Sequence, residues 1–425
     1  MKKLIISVFV MALSLYAVAQ ESFIGYSPYS QFGIGQIESF GDQNTMAMGG
    51  IGVAIRDAGY NNLLNPASVT ARETQAFMLN FGLKQSNTIY SADINGSTAK
   101  TAKNLFDINH VVASFPIYKH SAFRLGVMPY SSTGYLFRYR DESDIVLSEL
   151  GDVQYIRAGQ GGLSQAFAGA GVTLFERLSL GADAILVFGT NTRNSAALFN
   201  TNSYSRTIAR DWKSVSRGFT GKLGMQYEQP LGDLSLIVGS TYKLGSTIKS
   251  DYSDLAYATG GNYTDTTINV SMEKSINLPQ EISVGFTLGK KDSWKIGYDY
   301  TMQDWTGSVF DPTPGINVAY GNSQSHNIGF EYIPNKYDVR YFLRTITYRV
   351  GAYHKNQYLI IDGHQISTSG ITFGFSIPVY NRQTSVSLAV DLGRTQVPNH
   401  VNENFVKFTF GLNLYDVWFQ KVLYN

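Results

Sequence analysis

The chain has 425 residues with no cysteine, 28 tyrosines, 25 phenylalanines and 41 glycines, and its 34 basic residues nearly balance 32 acidic ones. The lack of cysteine excludes a disulfide framework and thiolate metal sites, and the balanced charge argues against nucleic acid as a partner. An aromatic, glycine-punctuated chain of this length indicates one large all-β unit.

The first residues have the pattern of a secretory signal peptide. Two lysines precede an apolar run at 4–16, and Ala17-Val18-Ala19 provides a cleavage site, so residues 1–19 are predicted to be removed on export. The apolar run is too short to span a membrane as a helix, and no later stretch has 18 consecutive apolar residues. An exported chain of this kind is typical of an outer-membrane barrel, with bacterial outer-membrane localisation.

The next segment, residues 20–72, lacks the pattern of either a strand or a helix. Its second half, 44–71, is rich in Gly, Ala and Asn and shows neither period-two alternation nor a helical apolar stripe. Because everything after it alternates, we predict that residues 20–72 form a hatch, or plug, in the lumen of a barrel formed by residues 73–425.

Fourteen strands are predicted after the hatch. Apolar and polar residues alternate from about residue 77 to residue 414, and an even strand number suits a single-chain bacterial barrel. Short connections alternate with longer polar ones, which predicts an antiparallel transmembrane barrel with periplasmic turns, extracellular loops and both termini in the periplasm. The predicted long loops lie at about 86–104, 139–160, 190–214, 247–277, 304–323, 355–368 and 395–403.

Glycine recurs near the middle of the strands, on the face opposite the large apolar residues. That face is predicted to line the lumen, where glycine either clears space for a plug or ligand or relieves coiling in a tilted barrel; both explanations stay open. The glycines are Gly82, Gly126, Gly181, Gly224, Gly239, Gly285, Gly297, Gly329, Gly351, Gly374, Gly393 and Gly411.

The sequence carries no pattern that points to catalysis. The six histidines are scattered without metal-ligand spacing, and no nucleophile elbow, zinc-protease, phosphate-loop or dinucleotide motif is present. We therefore predict no catalytic residue, no metal, no cofactor and no enzymatic activity. Trp294, Trp305, Tyr415 and Trp418 are predicted to anchor the barrel at the membrane interfaces.

The third predicted strand contains a proline. Pro129 cannot donate a hydrogen bond to a strand ladder, and a closed barrel has no free edge at which a proline is harmless. The sequence therefore predicts a local break in pairing within the wall. The break is either a lateral gap from lumen to lipid or a bulge without a role in transport.

Together these features resemble the FadL-type outer-membrane proteins, which include channels for long-chain fatty acids and aromatic hydrocarbons. A motif before the first predicted strand resembles the hatch of that family. Residues near the two ends of the chain resemble those of Bacteroidota members. The hatch motif is Gly49, Gly50, Gly52, Asn65, Pro66 and Ala67, and the end motifs are Ser27-Pro28-Tyr29-Ser30 and Trp418-Phe419.

The resemblance implies a monomeric barrel embedded in outer-membrane lipid and closed by its hatch. A hydrophobic small-molecule ligand would enter from outside and leave sideways through a kink in the third strand. Pro129 and Gly134 match the position of that kink.

Two functions follow, of different classes. The first is passive uptake of hydrophobic small molecules; the alternative is a non-transporting subunit of a larger outer-membrane assembly of the BAM type or of a secretion complex, with other barrels or lipoproteins as partners. The polar predicted loops favour the assembly. The stretches 145–150 and 359–361 are predicted to form a small apolar mouth, and on this basis transport is the preferred hypothesis.

Overall fold

The structure is a computed structural model that describes residues 25–39, 41–71, 76–94, 96–140, 143, 146–148, 151–200, 205–260, 263–310, 316–379 and 384–417. The predicted signal peptide, most of the stretch 141–150 and the terminal residues 418–425 lie outside the described residues. The predictions that concern those segments therefore stay predictions.

Strands make up most of the described chain. They are β1 (Gln36–Ile37), β2 (Ala76–Ile94), β3 (Ser97–Tyr118), β4 (Ser121–Arg140), β5 (Asp152–Leu174), β6 (Leu178–Asn200), β7 (Ser205–Leu231), β8 (Leu234–Lys243), β9 (Ser246–Gly260), β10 (Tyr263–Leu278), β11 (Glu281–Lys290), β12 (Trp294–Asp304), β13 (Val318–Tyr320), β14 (Asn322–Tyr332), β15 (Thr347–Ile361), β16 (His364–Pro378), β17 (Ser385–Gln396) and β18 (Asn402–Val417).

These strands form a closed antiparallel barrel. Each wall strand pairs with its neighbours along the chain, and β18 pairs with β2 from Asn402 opposite Ser91 to Val417 opposite Ala76, which closes the wall. The pairs β8 and β9, β10 and β11, and β13 and β14 are single strands with a short interruption, so the wall has fourteen strands. The predicted fold class is confirmed.

Helices are short in this chain. The α-helix α1 covers Gln43–Met46, and 3-10 turns cover Pro28–Gln31, Pro66–Ala71 and Phe342–Arg344. Within the described residues, no helix has the length and apolar character needed to cross a membrane.

The wall separates an apolar outer face from a polar inner one. In β11, for example, Ile282, Val284 and Phe286 point outward and are exposed, whereas Ser283 and Thr287 point inward and are buried. This alternation is the pattern of a barrel that spans a membrane with its apolar side toward lipid.

Most of the predicted long loops are wrong, because strands continue through them. The described part of 247–277 lies in β9 and β10, while β6 runs on to Asn200 and β7 begins at Ser205. Beyond the membrane both faces of a strand meet water, so the apolar alternation ends although the backbone pairing continues. Residues 305–310 and 316–317 do lie outside the strands.

Candidate functional site in the barrel lumen

The N-terminal residues 25–39 and 41–71, called here the inner segment, pack against the inward-facing side of the wall. Its first part follows β4: the amide of Ser27 donates to the carbonyl of Gly134 at 2.8 Å, and that of Glu38 donates to the carbonyl of Tyr130 at 3.1 Å. Asp42 then caps α1 by accepting from the amide of Thr45 at 3.1 Å. The backbone of this segment is therefore bonded to the wall and to itself.

Glycines on the wall make room for the inner segment. A methyl group at Gly239 would overlap the carbonyl oxygen of Val53, and one at Gly351 would overlap the amide of Gly49. Contacts of the same kind account for eight of the twelve predicted glycines, namely Gly181, Gly224, Gly239, Gly297, Gly329, Gly351, Gly374 and Gly411. The other four meet side chains of the wall itself.

The Asn65-Pro66-Ala67 motif joins two parts of the inner segment to β7. The side-chain nitrogen of Asn65 donates to the carbonyl of Val53 at 2.7 Å and to that of Met225 at 3.1 Å. Its side-chain oxygen accepts from the amide of Ala67 at 3.0 Å, at the start of a 3-10 turn that packs on β5, β6 and β7. The side chain of Asn65 is fully buried, so these bonds are shielded from water.

The three predicted glycines of the motif lie at a second point of attachment. Gly49 and Gly50 have φ values of +71° and +85°, a backbone conformation that favours glycine. The amide of Gly49 donates to Thr372 at 2.7 Å, and that of Gly52 donates to the Asp299 carboxylate at 2.6 Å. Asp299 is a wall residue that the sequence did not single out.

A buried ion pair forms the third attachment. Arg124 of β4 binds Asp183 of β6 through two hydrogen bonds of 3.0 and 2.5 Å, and both side chains are almost completely buried. The same guanidinium donates to the inner-segment carbonyls of Asn62 at 2.6 Å and Asn65 at 3.3 Å. The only sequence signal for this contact is a charge on the lumen-facing side of a strand, which does not identify its partner.

A second ionic cluster binds Asp57 of the inner segment. Lys295 of the wall lies 2.8 Å from Asp57 and 3.0 Å from Glu331, and Glu331 lies 2.7 Å from Arg349. Burial raises the pKa of Asp57, but the attraction of Lys295 lowers it by more, so the pKa falls to about 2. Asp57 is therefore charged at neutral pH and attached to the wall by that charge.

The space left between the inner segment and the wall is lined by charge. A cavity of about 230 Å³ is bordered by ten charged side chains, four lysines and six carboxylates. Lys84 lies 2.6 Å from Glu38, and Lys222 lies 3.3 Å from Glu281. Burial raises the pKa of Glu38, and the neighbouring Lys84 more than offsets this, so that the pKa lies below its ordinary value.

Apolar side chains instead pack against one another near the predicted mouth. Leu359 and Ile361, predicted as part of an open apolar mouth, are buried in the cluster that contains Trp305 and Tyr358. The rings of Trp305 and Tyr358 stack with centroids 4.4 Å apart. The predicted interface role of Trp305 is wrong, because the chain after β12 turns inward and buries this side chain.

Pro129 and Gly134 lie where β4 changes partners. Among the described residues, β3 and β4 pair only up to Val111 opposite Val127. The pairing of β4 with β5 shifts register between Pro129 and Ser131, where β1 pairs with the other edge of β4. The predicted irregularity is therefore present at Pro129, and its use as a lateral opening stays a prediction.

The predicted site residues lie at two places in the structure. The six motif residues all lie in the inner segment at its attachments to the wall, and Pro129 and Gly134 lie on β4 beside its first residues. The attachments formed by Arg124, Asp183 and Asp299 were missed, because they join residues far apart in sequence. No group of three metal-ligating side chains occurs within the described ranges.

The chain is thus a closed antiparallel barrel of fourteen strands with an inner segment packed in its lumen. The chain belongs to the BamG family, whose family model matches residues 1–425. No curated protein matches it in sequence.

Three similar solved structures share the fold at low sequence identity. The toluene transporter TodX of P. putida is 16% identical with a TM-score of 0.58, covering 91% of this chain and 100% of its own. The toluene transporter TbuX of Ralstonia pickettii is 15% identical with a TM-score of 0.56, covering 89% and 98%. A Pseudomonas aeruginosa FadL homologue is 12% identical with a TM-score of 0.54, covering 90% and 99%. None of these three proteins is described as an enzyme, which is consistent with the prediction that this chain has no enzymatic activity.

Proposed function

We propose that this chain is a closed, non-transporting barrel that serves as a subunit of a larger outer-membrane assembly, with both termini in the periplasm. The observation that carries the proposal is the charged lining of the cavity between the inner segment and the wall. A hydrophobic molecule in that space would leave charged groups without water, which is costly. The family name BamG fits the alternative drawn from the sequence, a subunit of an assembly of the BAM type.

The attachments of residues 20–72 support the same proposal, in which this segment is a fixed hatch. Opening it would break the hydrogen bonds from Arg124 to the carbonyls of Asn62 and Asn65. It would also break those from the amides of Gly52 and Val53 to Asp299. Each buried polar group left without a partner costs about 1–3 kcal/mol. In this account the hatch stabilises the barrel and does not gate it.

Filling the cavity tests this proposal. Thr301 lines the cavity, so Thr301→Trp would occupy space that any passing ligand needs, while Ile371→Trp on the outer face is the matched control. We expect both variants to assemble and support growth like the parent, with no uptake of a labelled fatty acid or toluene beyond that of barrel-free cells. Uptake by the parent that Thr301→Trp alone abolishes would contradict the proposal.

Passive uptake of hydrophobic small molecules is the second candidate. It is favoured by the change of partners in β4 at Pro129, at the position of the kink that the resemblance implies, and by the fold shared with toluene transporters. Pro129→Val restores an amide donor at the irregularity. On the transport hypothesis, uptake falls in this variant while the barrel remains folded; undiminished uptake removes the support for a lateral exit.

A further inference from the structure

The turn between β14 and β15, residues 333–346, differs from the other described turns at its end of the barrel in both length and exposure. It presents apolar and aromatic side chains to the surroundings, with Val339 94% exposed and Leu343 68% exposed. Tyr337, Tyr341 and Phe342 are exposed as well. Large apolar side chains grouped on a surface indicate a site of contact with lipid or protein.

The turn is held in a defined conformation. Asp338 accepts from the backbone amides of Arg340 at 2.8 Å and Tyr341 at 2.9 Å, and it lies 3.3 Å from the Arg344 guanidinium. Lys336 lies 2.6 Å from Asp292, which belongs to the neighbouring turn. The exposed side chains are therefore presented by an ordered backbone.

The position of the turn continues the outer face of the wall. Tyr348 of β15 points outward, and its hydroxyl donates to the carbonyl of Leu343 at 3.1 Å. Tyr332 of β14 points outward beside it, directly paired with Tyr348. The turn thus lies at the edge of the apolar belt, where the wall meets the headgroups of a membrane.

The charges of the turn also fit that location. Its three basic residues, Lys336, Arg340 and Arg344, outnumber the two carboxylates, Asp292 and Asp338, that pair with Lys336 and Arg344, so a net positive charge remains. Aromatic side chains are enriched at membrane interfaces, and basic residues there are attracted to anionic headgroups.

We propose that residues 333–346 form a membrane-interface anchor. Its apolar side chains lie at the boundary of the acyl chains, and its basic residues contact anionic phospholipid headgroups in the leaflet at this end. That leaflet is the periplasmic one in the orientation proposed above. The anchor does not depend on whether anything passes through the lumen.

Spin labels can test the anchor directly, because the chain has no cysteine and single-cysteine variants need no background removal. Val339→Cys and Leu343→Cys are labelled with a nitroxide in the full barrel, reconstituted into bilayers of phosphatidylethanolamine and phosphatidylglycerol. Collision with oxygen reports lipid, and collision with a water-soluble nickel chelate reports water. Ile371→Cys on the outer wall is the lipid control, and Thr266→Cys on exposed β10 is the water control.

We expect the oxygen-to-nickel ratio at both turn positions to exceed that at Thr266→Cys several-fold and to approach that at Ile371→Cys. Replacing phosphatidylglycerol by phosphatidylcholine should lower the ratio at the turn and leave Ile371→Cys unchanged. A ratio equal to that of Thr266→Cys would show that the turn lies in water. Protection from both reagents would show that protein covers it, and either result would overturn the anchor.

Discussion

At the scale of single residues, two arginines show how burial changes the contribution of an ion pair. Arg124 and Arg210 each bind an aspartate through two hydrogen bonds. Their lengths are similar in the two pairs, 3.0 and 2.5 Å to Asp183 and 2.9 and 2.6 Å to Asp254. The Arg124 side chain is 2% exposed, whereas that of Arg210 is 45% exposed. The two pairs have the same geometry in different surroundings, so they form a matched comparison.

We predict that Arg124→Met lowers the free energy of unfolding by about 3–5 kcal/mol, since it leaves a buried aspartate uncompensated. Arg210→Met should lower it by about 0–1 kcal/mol, because water and salt screen the exposed pair. Urea unfolding of the purified barrels in one detergent, followed by tryptophan fluorescence, measures both. Similar losses in the two variants would show that burial does not increase the contribution of the Arg124 pair.

The charge of Asp57 gives a prediction about pH. Its pKa is lowered from an ordinary value of 3.8 to about 2 in the folded protein, so the unfolded chain binds more protons between these values. The ion pair with Lys295 therefore stabilises the fold fully above about pH 5, and this contribution is lost as the pH falls through about 2.

The comparison with Asp57→Asn isolates this effect. At pH 7 the parent should melt at a higher temperature than the variant, and the difference should shrink as the pH is lowered from 5, to a small part of its value near pH 2. Other carboxylates titrate in both proteins and cancel in the difference. A constant difference over this range would mean that Asp57 acts through packing and not through its charge.

At the scale of elements, the main interface is between the inner segment and the wall. Glycines at mid-strand let the backbone of the inner segment come close to the strands, as at Gly239 against Val53 and at Gly351 against Gly49. Inward-facing polar side chains then take up its backbone groups, as Asp299 and Thr372 do. The irregular segment thus meets its hydrogen-bonding needs without joining the wall as a strand.

We predict that Gly239→Ala destabilises the barrel by about 1–3 kcal/mol, because the added methyl group overpacks the contact with Val53. The control is Gly245→Ala, a wall position where a methyl group would come no closer than 3.4 Å to its neighbours. Urea unfolding should separate the two variants, and increased cleavage of the inner segment by added protease should accompany the loss only in Gly239→Ala. Equal behaviour would indicate that the inner segment moves aside at no cost.

The strands could be predicted from the sequence where apolar and polar residues alternate. Strands such as β11 were found because one face meets lipid. Nearly all of β9 and β10 was taken for a loop, since neither face is apolar there. The glycine face and the irregularity at Pro129 were predictable, because each follows from the chemistry of one residue type.

The ionic attachments of the inner segment could not be predicted in the same way. Arg124 and Asp183 stand 59 positions apart in sequence, and the register of β4, β5 and β6 brings them together on either side of Gly169. The inward position of Trp305 depends on its contact with Tyr358, which is distant in sequence, and a local pattern does not encode such a contact.

At the scale of the whole molecule, the barrel is apolar outside, charged in its remaining lumen and closed near its mouth by packed apolar side chains. This distribution suits a closed, membrane-embedded barrel better than a channel for hydrophobic molecules, because such a channel would need a continuous apolar surface. A closed barrel is compatible with the family to which the chain belongs. It is also compatible with the fold shared with toluene transporters, because one fold serves different functions.

The most direct test of the central claim, that the barrel is a closed subunit, is to purify it from its own membranes in mild detergent and to identify bound chains and small molecules by mass spectrometry. We predict a stoichiometric outer-membrane protein partner and no apolar small molecule in the lumen, with the same result for the Thr301→Trp variant. An isolated monomer that carries a fatty acid or an aromatic hydrocarbon would contradict the account.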